Sequence, residues 1–304
     1  MNIIFMGSPE FAVPSLLQLH KSKHSIKAVV SNKDKRRGRG AKTSPTPVKK
    51  TAEELGYPVI EVEDLHSTAF AEALKKYKAD LFVVVAFRIL PKSILQIPKI
   101  GSVNLHASLL PKYRGAAPIH WAVIQGEEKT GCSIFFLDEK VDTGNIILQE
   151  STAIGENETT GEVYERLMKM GSSLLVKAVD QIRKESYTLQ SQDHHRATPA
   201  PKLFKEDCHI DFNLPARQVH NKIRGLSPFP TAWAHWNGQK FNMYRSKVFG
   251  YTELEAGELS VIDDKLIAGC KDEAVELVQV QLPGTKKMRG SEFIRGYDIS
   301  GKLT

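Results

Sequence analysis

The chain is predicted to be an α/β protein, an open sheet of parallel strands followed by a small β-barrel, and three observations predict it. Short apolar strands alternate with amphipathic stretches through residues 1–184, the order that parallel pairing with crossover helices requires. Residues 81–87 form a continuous apolar run, the mark of a strand covered on both faces. Beyond a polar stretch at residues 185–204 the pattern changes to short, closely spaced strands broken by turn residues, as in a small barrel over residues 205–304.

Residues 2–6 read as a strand, broken by Gly7-Ser8-Pro9, with Pro9 suited to a first helical position. A helix interrupted by Pro14 follows at residues 10–20, then a strand at 26–30. Val48, Ala52 and Leu55 recur at helical spacing until Gly56 stops the helix. A strand at 58–62 precedes a helix marked by Phe70 and Leu74. Further strands are expected at 101–107 and 132–137, and helices at 118–125 and 160–184, the last capped by Thr159 or Thr160. In the second part, a helix at 215–225 precedes strands near 231–236, 240–249, 257–262, 265–269 and 274–281.

At 304 residues with 41% hydrophobic content, the chain can bury a full core. No apolar run approaches the roughly 18 residues that span a bilayer, and the N-terminal residues lack a signal-peptide pattern, so a cytoplasmic, non-membrane protein is expected. Cys132, Cys208 and Cys270 are too few and too scattered for a disulfide framework or a zinc site. The pair His194-His195 has no cysteine or carboxylate at ligand spacing, so no metal is expected. The net charge of +7 is local. Lys33, Lys35, Arg36, Arg37, Arg39, Lys42, Lys49 and Lys50 face only Asp34 within residues 33–50, so this stretch alone carries the surplus. A polyanion is its natural partner; a solvated surface loop is the plainer reading.

The densest chemistry lies in Gly101 to Gly115, GSVNLHASLLPKYRG. On a strand Asn104, His106 and Ser108 share one face. An amide and an imidazole two residues apart can polarise a carbonyl and move a proton beside it, or they can merely finish a strand end. Asp142, in Val141-Asp142-Thr143-Gly144, can pair with His106, or simply form a turn. There is no GxGxxG, no phosphate loop and no GxSxG elbow, which sets nicotinamide and ATP chemistry aside.

With Asn104, His106 and Asp142 in place, SLLPKYRGAAPIHWA at residues 108–122 together with the distant VDTG resembles the folate-dependent formyltransferases. FMGSPEFAVPSL at 5–16, Gly38-Arg39-Gly40, SPTPVK at 44–49, IRGLSPFPTAW at 223–233 and QLPGTKKMRGSEFIRG at 281–296 narrow the resemblance to the methionyl-tRNA formyltransferases, over nearly the whole chain. The resemblance implies a Rossmann-like formyltransferase domain (1–184), a linker (185–204) and an OB-like, tRNA-binding barrel (205–304). It implies 10-formyltetrahydrofolate as donor and initiator methionyl-tRNA as acceptor, with direct attack of the amine and no metal. Asn104, His106 and Asp142 take the catalytic positions. Ser108, Leu109, Leu110, Pro111, Arg88 and Leu90 fall at the folate site, and Arg37, Arg39, Lys42, Lys286, Lys287 and Arg289 at the tRNA.

Arg88 departs from the glycine that family members often carry there, and either reshapes the pocket or meets the acidic tail of the folate. Formyltransferases acting on amino sugars resemble the catalytic part but need no cationic loop, and those acting on glycinamide ribonucleotide lack the barrel. A non-catalytic RNA-binding relative is disfavoured by the intact Asn104, His106 and Asp142. A monomer is expected, because no self-complementary apolar surface is evident.

Overall fold

The computed structural model describes residues 1–37 and 42–304, and for residues 35–37, 42 and 43 it gives the course of the backbone. The described residues form two compact units.

The first unit comprises Met1–Gly115, Gly131–Thr152 and Glu165–Pro199. Its strands are β1 (Asn2–Gly7), β2 (Ser25–Asn32), the short β3 (Lys35–Arg37) and β4 (Lys42–Ser44), β5 (Val59–Val62), β6 (Leu81–Val85), β7 (Gly101–His106), the two-residue β8 (Arg114–Gly115), β9 (Lys129–Phe136), β10 (Ile146–Ala153) and β11 (Pro199–Ala200). Its helices are α1 (Val13–His20), α2 (Pro47–Glu54), α3 (Thr68–Lys75), α4 (Lys92–Leu95) and most of α6 (Thr160–Arg183), while α5 (Pro118–Ile124) falls in the second unit. The main sheet has the order β10-β9-β7-β6-β1-β2-β5. β1 pairs parallel with β2 and β6, β2 with β5, and β6 with β7. β9 runs antiparallel to β7, so the sheet is parallel through its middle and turns mixed at one side. β6 is buried along its whole length, as its unbroken apolar sequence requires.

Two expectations about this unit are corrected. The strand expected to reach residue 87 stops at Val85, because Ala86 turns into the left-handed region at φ 48°. The basic segment, read as a loop, contains a short antiparallel ladder in which Arg37 and Lys42 are cross-strand partners.

The second unit comprises Ala116–Thr130, Ala153–Tyr164 and Ala200–Thr304. It adds α7 (Ala216–Gly225) and α8 (Gly290–Gly296) to an antiparallel sheet of β12 (Ala232–Trp236), β13 (Gln239–Gly250), β16 (Ala274–Gln281), β15 (Lys265–Gly269) and β14 (Leu259–Ile262), with β17 (Met288–Arg289) on β16. Asn237-Gly238 joins β12 to β13, and Asp263-Asp264 joins β14 to β15. All four residues have positive φ, as two-residue hairpin turns between twisted strands require.

The two edge strands meet a common partner. His235 of β12 exchanges both backbone hydrogen bonds with Thr304 (2.6 and 2.9 Å), while Leu303 donates to the carbonyl of Gly257 (2.7 Å), two residues ahead of β14. The segment Gly301–Thr304 thereby closes the sheet into a barrel. Inside it Phe241, Phe293 and Trp236 pack edge to face, with Phe293 fully buried.

Candidate active site

The order of the main sheet reverses at β1. The chain leaves β1 for β2 and β5 on one side and returns through β6 and β7 on the other. In open α/β sheets ligands gather beyond the carboxyl ends of strands at such a switch, and here those ends are Gly7, Val85 and His106.

Asn104 sits on β7 between Val84 of β6 and Phe135 of β9. It is half-buried, and its Oδ1 is fully enclosed with no hydrogen-bond partner. A buried amide oxygen left unpaired costs about 1–3 kcal/mol. His106 follows two residues later on the same face, and its ring is buried. Its Nε2 lies 2.8 Å from the carbonyl oxygen of Tyr113. A carbonyl only accepts, so Nε2 carries the hydrogen of that bond. Nδ1 is the nitrogen left to take or give a proton, and it faces Asp142 Oδ2 at 3.7 Å. That is beyond a hydrogen bond but within ion-pairing reach. The same carboxylate oxygen accepts the Gly115 N–H at 2.8 Å. The structure thus brings the His106 ring beside Asp142, both buried, with Asn104 on the same strand face as His106.

Tyr113 and Asp142 adopt φ of 61° and 55°, a region non-glycine residues occupy when their surroundings hold them there. What holds Asp142 was not legible from motifs. Gln192, buried within the polar stretch, donates through its Nε2 to the carbonyls of Asp142 (2.9 Å) and Gly144 (2.8 Å). Gly144 must be glycine on steric grounds, since a Cβ there would lie 1.7 Å from the Phe136 carbonyl oxygen.

The loop that follows β7 is built inward. Ser108 is completely buried and donates to the Lys112 carbonyl at 2.6 Å. Ser133 donates to the Ser108 carbonyl (2.6 Å) and accepts from Leu110 N (3.0 Å) and Gln149 Nε2 (2.7 Å). Ser133 and Gln149 thus shape the loop, though neither stands in a motif. Leu110 packs with Phe135 and Ile146, which leaves Leu109 and Pro111 as the half-buried side chains of this run. Leu90 belongs to the core around Val84 and Ile94. The Arg88 guanidinium donates to the carbonyls of Val62 (3.0 Å) and Glu63 (2.8 Å), closing off the end of β5. Cys132 is wholly buried, and burial pushes its thiol up to about 12, so it packs and is not a nucleophile.

A family model described as "Formyl transferase" matches residues 1–179, and one described as "Formyl transferase, C-terminal domain" matches residues 202–298. A methionyl-tRNA formyltransferase of Porphyromonas gingivalis is 41% identical over 315 residues, covering 100% of this chain and 98% of that protein. One from Chlorobium limicola is 42% identical over 306 residues, covering 98% and 96%. The chain belongs to the methionyl-tRNA formyltransferases.

Solved structures support the fold. The N-formyltransferase of Helicobacter canadensis, in complex with folinic acid and dTDP-3-aminofucose, superposes with a TM-score of 0.69 at 21% identity, covering 90% of this chain and 98% of that one. HypX of Aquifex aeolicus, in complex with tetrahydrofolic acid, gives a TM-score of 0.62 at 16% identity, covering 99% of this chain and 50% of that one. The residues expected of a methionyl-tRNA formyltransferase at its tRNA are placed as follows. Lys286, Lys287 and Arg289 are exposed on the barrel, and the Lys287 ammonium sits 3.7 Å above the Tyr244 ring. Arg37 and Lys42 lie on the short ladder, and Arg39 lies outside the described residues. Among the described residues no three His, Cys, Asp or Glu side chains gather as a metal site, and no helix is long and apolar enough to cross a membrane.

Proposed function

We propose that this chain transfers the formyl group of 10-formyltetrahydrofolate to the α-amino group of methionyl-tRNA, and that Asn104, His106 and Asp142 carry the reaction. The amine lone pair attacks the formyl carbon, and the carbonyl becomes a tetrahedral oxyanion. Asn104 Nδ2 donates a hydrogen bond to that oxyanion; such a donor is worth about 2.7–4 kcal/mol in the barrier. As the bond to the folate nitrogen breaks, the proton lost by the amine passes to that nitrogen through His106 Nδ1, and tetrahydrofolate leaves. The observation that carries this reading is the placement of His106. Its Nε2 is committed to the Tyr113 carbonyl, its Nδ1 faces the buried Asp142, and it shares a strand face with Asn104.

Residues 1–184 are read as the formyl-transferring domain, 185–204 as a linker and 205–304 as a tRNA-binding domain. Ser108, Leu109, Leu110, Pro111, Arg88 and Leu90 are proposed to form the folate site, the loop largely through its backbone and half-buried side chains. Arg37, Arg39, Lys42, Lys286, Lys287 and Arg289 are proposed to contact phosphate. The acceptor is the initiator tRNA, and the protein works as a cytoplasmic monomer.

The direct test is an assay with 10-formyltetrahydrofolate and methionyl-tRNA beside a nucleotide amino sugar. Formyl-methionine on the tRNA and no formylated sugar is expected; the reverse defeats the proposal. Asn104→Ala should lower kcat by about two to three orders of magnitude, and Asp142→Asn by at least about tenfold, with tRNA affinity unchanged. Arg39→Ala and Lys287→Ala should each flatten the salt dependence of tRNA binding by about one unit of logarithmic slope. Unaltered slopes would remove both residues from the interface.

A further inference from the structure

We propose that Gln192 is a positioning residue for formyl transfer, holding Asp142 at the distance and orientation from which it faces His106. The inference rests on the reading of Asp142 as part of the reacting group. Gln192 is 7% exposed, and its amide is fully engaged. Nε2 gives both hydrogens to the carbonyls of Asp142 and Gly144, at 2.9 and 2.8 Å. Oε1 accepts two bonds from one guanidinium, Arg114 Nε at 3.2 Å and Nη2 at 2.6 Å. The guanidinium has no acceptor, so it fixes which end of the amide points where. The hydrogens of Nε2 therefore face the backbone of the 142–144 turn.

The remaining contacts close a circuit. Residues 113–115 supply the Tyr113 carbonyl that receives His106 Nε2–H, the Arg114 fork that orients Gln192, and the Gly115 N–H that binds Asp142 Oδ2. The turn on the other side carries Asp142 at φ 55°, a conformation that relaxes unless it is held. Gln192 ties the main-chain carbonyls of that turn to Arg114, beside the bond that the Asp142 carboxylate itself makes to Gly115. The 3.7 Å separation of His106 Nδ1 and Asp142 Oδ2 depends on both segments at once. The Gln192 amide spends its hydrogen bonds on Arg114 and the two carbonyls and none on the imidazole or the carboxylate, so its action is through the main chain of Asp142. Residues that hold metal ligands in this indirect way are typically worth ten- to a hundredfold, and a loss of about that order is expected here.

The test compares Gln192→Ala and Gln192→Glu with Asp142→Asn, alone and combined, in the full-length protein. Rates, KM for both substrates and melting temperatures are recorded. Gln192→Glu keeps the volume and the acceptor for Arg114 but cannot donate to the two carbonyls, so it decides the matter if the alanine variant folds poorly. Both variants should lose about ten- to a hundredfold in kcat with KM for folate and tRNA unchanged. Adding either to Asp142→Asn should slow that variant by less than about twofold, because the group being positioned is already gone. A wild-type rate in Gln192→Glu, or an equal loss in both backgrounds, overturns the proposal. A wild-type rate in Asp142→Asn would instead overturn the reading beneath it, whatever Gln192 does.

Discussion

At the scale of single residues, the candidate site combines motif residues with others that no motif marks. Strand alternation put Asn104 and His106 on one face, but Asp142 read equally as a turn residue, and it was the resemblance to the formyltransferases that joined it to them. Gln192, Ser133 and Gln149 were not legible, because their work is to hold backbone, and a lone amide or hydroxyl in a polar or apolar run leaves no periodic trace. The VDTG glycine illustrates how tightly the backbone is fitted. Gly144→Ala would drive a methyl group onto the Phe136 carbonyl, 1.7 Å from an ideal Cβ, so the turn must shift. That variant should melt at lower temperature and lose formyl transfer together, as thermal denaturation and a rate assay would reveal. A stable and active Gly144→Ala protein would mean the turn has room that its geometry denies.

At the scale of elements, the alternation of strands and helices through residue 137 was readable, as were α7 and most barrel strands, because each has its own apolar period. β10 and α8 escaped. β10 buries Ile146 and Ile147 but then alternates with charged and polar residues, and α8 is a short helix whose anchor is the single fully buried Phe293. The start of α6 is set by Thr159, which exchanges capping bonds with Glu162. Barrel closure by Gly301–Thr304 could not be foreseen, since four residues of mixed polarity carry no strand signal. Deleting residues 301–304 should strip the hydrogen bonds from His235 and Gly257 and bare both sheet edges, lowering the melting temperature and promoting association. Differential scanning calorimetry and light scattering would show both effects, and unchanged traces would mean the barrel closes without this segment.

At the scale of the whole molecule, buried and half-buried histidines set an acid limit on stability. His24, His120 and His220 all titrate below the ordinary 6.5, each chiefly because burial disfavours the imidazolium. His220 is completely buried, between Ser246 Oγ and the Glu156 carbonyl. A lowered folded-state value means that below pH 6.5 the unfolded chain binds more protons than the native one. The contribution of these residues is therefore intact above that pH and is lost progressively as acid is added. The melting temperature should be level above about pH 7 and fall toward about pH 5, and His220→Gln should flatten part of the decline. A decline of undiminished steepness in that variant would shift the cause to other groups.

The central place of β1 has a kinetic consequence. One edge of β1 is completed nearby, by β2, but its other edge waits for β6, and the bond from Asn2 N–H to the Asp80 carboxylate spans 78 positions of chain. Closing so long a loop costs entropy before any contact repays it, so the parallel sheet assembles slowly. The hairpins of the barrel, with two-residue turns at 237–238 and 263–264, have no such delay. Refolding from denaturant should accordingly show an early phase in the C-terminal strands and a later one in the sheet that carries Asn104 and His106, with transferase activity returning only in the second.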